Sequence, residues 1–393
     1  MTDKADNAEV RFENLVGQDR VREILSRGIT RKRLPHAFLF LGPDGVGKEA
    51  AALDLAKTLL CRSDHQRRGQ TPEVLPCGKC DSCTQFAKLA HHSLRLIFPL
   101  PKPKEGSTDE AAADTYTGAQ QKQIEELLAA KANDPYTPLI IPGGQEILIE
   151  HVRALRQEFR LTSFSGGWRV VILSQADRLR VEAANAFLKL LEEPPDDVMF
   201  ILTSSHESRL LSTIVSRCQV LRFQQLPINL IMDELKTRFK ANEEKAAYCA
   251  RLSGGSWHEA VRWLGGDPSA EMQKVVDFLR ELVRGDPGVR DNLVDTWAQA
   301  GSGEFTNLLV LTSKWLRDVQ KYLTSPDEHP ELGQDAALVK FARFTAGRDF
   351  SAAIEEVENA RLDLMRNVQP ALVAHRLFLH LWRKLFDSSS ATV

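Results

Sequence analysis

Gly42-Pro43-Asp44-Gly45-Val46-Gly47-Lys48-Glu49 is a glycine loop of the kind that cradles phosphate. Glycines let successive backbone N–H groups converge on an anion, the start of a helix adds positive potential, and Lys48 supplies a full charge. One position breaks the pattern. Ser or Thr after the lysine would place a hydroxyl on Mg²⁺ beside the phosphates, and Glu49 stands there instead. A carboxylate at that point repels a triphosphate unless a metal lies between them. Gly42, Gly45, Gly47 and Lys48 therefore form a degenerate phosphate loop, and its chemistry weighs against retained ATP binding.

A second defect closes the apolar run Val170-Val171-Ile172-Leu173, which continues as Ser174-Gln175-Ala176-Asp177. A working ATPase of this type ends such a strand in an Asp-Glu pair, one carboxylate orienting the metal and the other polarising the attacking water. Ser174 and Gln175 are neutral and neither is an efficient base, while Asp177 comes too late along the chain to replace them. Hydrolysis by this chain alone is not expected.

Cys77-Gly78-Lys79-Cys80-Asp81-Ser82-Cys83 holds three thiols at tight spacing, and Cys61 precedes them. Four thiolates so spaced point to a tetrahedral structural Zn²⁺ site with no open position for water. The loop 62–76 is long, so Cys61 is the ligand that spacing defines least. His91 and His92 follow the cluster and read as surface residues or residues leading into a strand. Cys218 and Cys249 read as ordinary, partly buried thiols. Disulfide use competes poorly, because this clustering suits a reducing compartment.

These groups need elements to hold them. From Phe12 to about Leu226, short apolar runs alternate with amphipathic stretches, the pattern of a mainly parallel sheet with flanking helices. Five runs are predicted strands: Ala37–Leu41, Leu94–Phe98, Val170–Leu173, Met199–Thr203 and Val220–Phe223. Helices are predicted over Ala50–Leu60, Glu146–Phe159 and Val181–Glu193, the last stopped by Pro194-Pro195. The segment Pro99–Gly144 interrupts this rhythm with prolines and a polar run at Ser107–Asp114. It reads as a partly disordered insertion with one helix near Gln121–Lys131 and no evident chemistry. After Pro227 the chain reads as helices to its end, notably Asn307–Leu323 and Ala371–Phe386.

A chain of 393 residues favours two or three domains. Lys+Arg 51 against Asp+Glu 53 gives a net charge of −2, which excludes overall attraction to a polyanion. Arg31, Lys32 and Arg33 form a local basic cluster that serves equally as a phosphate contact or as a solvated loop. Neither a signal-peptide core nor a membrane-spanning run is legible, so a cytoplasmic protein with no membrane contact is expected.

The residues taken together resemble the clamp-loader branch of the AAA+ ATPases. Phe12-Glu13-Asn14-Leu15-Val16-Gly17-Gln18, followed by Pro35-His36-Ala37-Phe38-Leu39-Phe40, is similar to that family's entry helix and first strand. Ala183-Ala184-Asn185-Ala186-Phe187-Leu188-Lys189-Leu190-Leu191-Glu192-Glu193-Pro194-Pro195 is especially specific. Ser216-Arg217-Cys218 looks like the family's Ser-Arg-Cys motif, in which the arginine reaches into an adjacent subunit's ATP site. Gly254-Gly255-Ser256-Trp257-His258 resembles the segment where active relatives carry a nucleotide-sensing arginine, with His258 near that place.

The resemblance implies an AAA+ domain over 1–226, with a zinc module at 61–83 and an insertion at 99–145. A small helical lid over 227–268 and a helical collar over 269–393 would follow. It implies a subunit of the bacterial DNA polymerase III clamp loader, partnered by tau/gamma motor subunits and delta, and acting with the sliding clamp on primed DNA. Motor subunits keep the hydroxyl and the Asp-Glu pair that this chain lacks, and tau carries a polymerase-binding tail for which no room is expected here. The expected role is thus a non-hydrolysing stator that presents Arg217 in trans, itself neither ATPase nor polymerase. On residue type alone, Arg217 would simply pair with a carboxylate at a turn. Two rival readings are an active motor ATPase and a stand-alone nucleotide switch.

Overall fold

Each strand of the sheet sends alternate side chains to opposite faces, and where both faces are covered, as in AFLFL at Ala37–Leu41, the strand sequence is apolar throughout. The computed structural model describes residues 12–62, 76–101, 116–161, 167–284, 292, 295–297, 299, 302–325, 336–365 and 368–386. The chain forms two units, Met1–Glu234 with Gly255–His258, and Leu235–Gly254 with Glu259–Val393.

In the first unit the strands are β1 (Ala37–Leu41), β2 (Leu94–Ile97), β3 (Arg169–Leu173), β4 (Val198–Ser204) and β5 (Gln219–Arg222). They form one sheet in the order β2-β3-β4-β1-β5, and every pairing is parallel. Leu39 stands opposite Leu202 on one side and Val220 on the other. All five predicted strands are present, β1 with the predicted ends and the other four with one or both ends shifted by a residue.

The helices are α1 (Asp19–Thr30), α2 (Lys48–Leu60), α3 (Asp81–Phe86), α4 (Gly118–Asn133), α5 (Ile149–Leu161), α6 (Val181–Glu192) and α7 (Ser212–Val215). Phe38, Phe40, Ile172 and Ile201 join Val21 and Leu25 of α1 and Ala52 and Leu55 of α2 in one core. Leu39, Leu41, Val171 and Leu202 join Val152 and Leu155 of α5 and Phe187 and Leu190 of α6 in the other. Phe187 meets Phe200 edge-on, centroids 5.4 Å apart, a favoured aromatic geometry.

Two expectations are corrected. The helix predicted from Glu146 begins at Ile149, because Glu146 and Ile147 are engaged in bridges to Leu100 and Leu179. The segment Phe12–Gln18, expected as an entry helix, is not helical, and α1 begins only at Asp19. The helix expected near Gln121–Lys131 is present: α4 opens on a capping box between Thr117 and Gln120, and beyond it Leu139 and Ile141 form a small core with Phe98. All of the polar run Ser107–Asp114 and most of the loop 62–76 lie outside the described residues.

In the second part of the chain come α8 (Ile228–Phe239), α9 (Glu243–Leu252), α10 (Trp257–Gly265), α11 (Pro268–Arg284), α12 (Ser302–Thr324), α13 (Ala336–Phe344), α14 (Phe350–Met365) and α15 (Pro370–Phe386). Among the described residues no strand follows Arg222. In the second unit α12 packs on α11, α13 and α14, and α15 packs on α14. Aromatic contacts knit this core, with Phe278 stacked on Trp297 at 4.1 Å and Trp315 edge-on to Phe341 at 4.8 Å. No described helix is long and apolar enough to cross a membrane.

Candidate functional site

The phosphate loop links the C-terminal end of β1 to α2, where an open parallel sheet presents its ligand crevice. Gly45 and Gly47 have φ of 73° and 104°, left-handed values that glycine adopts without strain. The loop is turned upon itself. The buried Lys48 ammonium donates to Gly42 O at 2.6 Å, Pro43 O at 2.5 Å and Ser205 Oγ at 3.1 Å. Burial pulls its pKa below the ordinary lysine value, against the opposing pull of Asp44, Glu49 and Asp177. Residues 255–258 lie against the loop: His258 N donates to Gly45 O at 3.3 Å, and a Cβ on Gly45 would stand 2.0 Å from Ser256 Oγ. His258, expected near a nucleotide-sensing position, thus lies at the loop.

Glu49 is the centre of a second cluster. One carboxylate oxygen accepts from Ser174 Oγ and the other from Lys131 Nζ. Lys131, at the end of α4, is 1% exposed and also donates to Thr137 O at 2.7 Å. Ser174 is fully buried at the end of β3. Gln175 has a left-handed φ of 56°, and its side chain donates to Leu139 O at 2.9 Å. Asp177 accepts from Ser204 Oγ at 2.7 Å and lies 3.4 Å from His206 Nδ1. These residues do not fit a magnesium nucleotide. Where a hydroxyl and a metal-orienting carboxylate should face an ion, a carboxylate and a hydroxyl bond each other, and an ammonium fills the carboxylate's remaining side.

Arg217 follows α7. Its Nη1 donates to Thr213 O at 3.0 Å and its Nη2 lies 2.8 Å from Glu192 Oε1, with both side chains half-exposed. The carboxylate partner foreseen from residue type alone is therefore present, supplied by the Glu192-Glu193-Pro194-Pro195 motif. Burial pushes the neighbouring Cys218 thiol up to about 12, which makes it unreactive, and pushes Cys249 up as well. Arg31, Lys32 and Arg33 are exposed after α1.

Cys61, at the end of α2, meets Cys77, Cys80 and Cys83 around α3, and their four sulfurs lie within 4.8 Å of one another. Cys77 Sγ is 3.9 Å from Cys83 Sγ. Four sulfurs at Zn–S bond length around a tetrahedral ion stand about 3.8 Å apart, so the donor set matches that chemistry. Backbone N–H groups of Lys79 and Cys80 draw Cys77 down to about 6, whereas burial pushes Cys83 up. His91 leads into β2 but is not a surface residue: it is 2% exposed. Its Nδ1 accepts from Ser93 N at 3.0 Å, so Nε2 carries the proton and donates to Ser82 Oγ, 2.7 Å away. It braces the cluster without joining it.

Lys131 and Tyr136 have no motif and escaped the sequence reading. Tyr136 OH accepts from Val16 N at 2.9 Å, and its ring meets Trp257 edge-on at 6.3 Å beside the loop. The usable signal was Glu49 itself, since a carboxylate at a buried helix start demands a cation.

The family model described as "DNA polymerase III, delta subunit" matches residues 17–227. DNA polymerase III subunit delta' of Bacillus subtilis is 31% identical over 269 residues, 68% of this chain and 65% of that protein. Subunit tau of the same organism is 27% identical over 276 residues, 68% of this chain and 40% of that protein. The chain thus spans less than two thirds of the length of these relatives. A solved gamma subunit-related protein of Thermotoga maritima matches 74% of this chain and 94% of its own, at 17% identity and a TM-score of 0.32.

Proposed function

This chain belongs to the DNA polymerase III delta-subunit family, and from that premise we propose that it is a clamp-loader subunit that does not hydrolyse ATP and lends Arg217 to a neighbour's ATP site. The delta' role, rather than that of tau or gamma, is the reading the residues favour. One observation carries it: Glu49 and Ser174 occupy the hydroxyl and acid positions and bond each other, while Arg217 stays half-exposed. A guanidinium is always charged and contacts two phosphate oxygens at once, so it stabilises the charge of γ-phosphate transfer from across an interface. Its ion pair with Glu192 is an exposed one of small net strength, which a phosphate can displace.

The subunit would stand at one end of the ring in head-to-tail contact with a motor subunit, the Arg217 surface and the phosphate loop facing different neighbours. Motor subunits and delta are its partners, and with them it helps to open the sliding clamp and place it on primed DNA in the cytoplasm. Residues 227–268 would form the lid and 269–393 the collar. Cys61, Cys77, Cys80 and Cys83 would hold one Zn²⁺, whose chemistry there is structural. The test is DNA-stimulated ATP turnover of the chain mixed with motor subunits and delta, repeated with Arg217→Ala. Turnover at the site that Arg217 completes should fall by about a thousandfold. Undiminished turnover removes the trans-arginine role, and turnover by the chain alone favours the motor reading.

A further inference from the structure

Among the described residues, Lys131 is the most deeply buried Lys, Arg, Asp or Glu. It comes from α4, in the segment between β2 and β3 that interrupts the sheet pattern, and it points into the phosphate site rather than to solvent. The structure assigns Lys131 as a tethered cation that stands in for the divalent ion of this site, and the inserted segment as an internal stopper that keeps the loop in one shape without nucleotide.

The charges account for this. A divalent ion in a phosphate loop is held between the side chain after the loop lysine and the acid ending the third strand. Those positions are Glu49 and Ser174, and here the positive charge beside them belongs to the protein. One Glu49 oxygen takes the Ser174 proton and the other takes a proton of Lys131, so both are engaged by the chain itself. Thr137 O accepts a second ammonium proton, and the same short segment sends Tyr136 OH to Val16 N. Lys48 attracts Glu49 through space, but its ammonium protons are turned to Gly42 O, Pro43 O and Ser205 Oγ. A carboxylate at position 49 and a lysine at position 131 are therefore two halves of one device, since without Glu49 the ammonium of Lys131 is a buried charge with no counter-ion.

This inference rests on reading the loop as non-hydrolysing but not on Arg217, so it is tested on the isolated full chain, where Arg217 has no partner site. Mn²⁺ with ATP serves as the probe, with free Mn²⁺ counted by electron paramagnetic resonance and thermal melting followed in parallel. Wild type should bind Mn²⁺-ATP weakly and show no rise in melting temperature. Lys131→Gln, which removes the charge and shortens the side chain by one atom, should melt lower and bind Mn²⁺-ATP at least tenfold tighter, while Lys131→Arg should behave as wild type. Equal Mn²⁺-ATP binding by wild type and Lys131→Gln overturns the assignment. So does a wild-type melting temperature raised by Mn²⁺-ATP, a result that needs no variant to fold.

Discussion

The Arg217 guanidinium lies 2.8 Å from the Glu192 carboxylate, joining the Ser-Arg-Cys turn to the end of α6. The arginine is thereby held by a group that carries no fold: the pair is half-exposed, and such pairs contribute about 1 kcal/mol or less. Its grip is strong enough to orient the side chain and weak enough to release it.

Arg217→Ala and Glu192→Gln should each change the stability of the isolated chain by no more than about 1 kcal/mol in urea denaturation. A loss of several kcal/mol would place Arg217 in the core of the fold and would make any loss of ATP turnover in the assembled complex uninterpretable as chemistry.

The four-cysteine cluster should carry one zinc ion per chain on elemental analysis of protein purified without chelator. Binding free energy at a structural site is folding free energy, so chelation or Cys80→Ser should lower the melting temperature and expose the 61–83 region to protease. Protein that contains no zinc and melts identically with chelator would end the metal reading.

Asp54 offers a pH test. It is buried on α2, bonded to Asn14 N at 3.0 Å and to the Asn14 side chain, and burial raises its pKa from 3.8 to about 6. Over that window the folded state holds a proton that the unfolded chain has released, so its contribution to stability is present below about pH 4 and is lost as pH rises through 6. Relative to Asp54→Asn, the wild type should lose up to about 3 kcal/mol between pH 4 and pH 7. A flat difference across that range would mean that the carboxyl is hydrated.

Gly45→Ala should destabilise the first unit by at least about 1 kcal/mol, because a side chain at φ 73° is strained before any contact is counted. The added carbon would also meet Ser256 Oγ at 2.0 Å. Ser256→Gly in the same chain should relieve only the second effect. If Gly45→Ala melted like wild type, the loop would not hold the shape described.

The sequence alone determined the strands, the degenerate loop and the close-set thiols Cys77, Cys80 and Cys83. Strand and helix periods are local, the short run Ala37–Leu41 between turn residues reads as a strand covered on both sides, and Gly42–Lys48 and Cys77–Cys83 place their chemistry within a few residues of one another. Tertiary structure decided what answers Glu49. Lys131 is 82 residues away along the chain, in a segment that looked empty of chemistry, and no spacing rule links them. It decided as well that Arg217 meets Glu192, and that His91 braces the cysteines from inside. Periodicity reports which face of an element is buried, whereas the partner of a buried charge is chosen only when distant segments close around it.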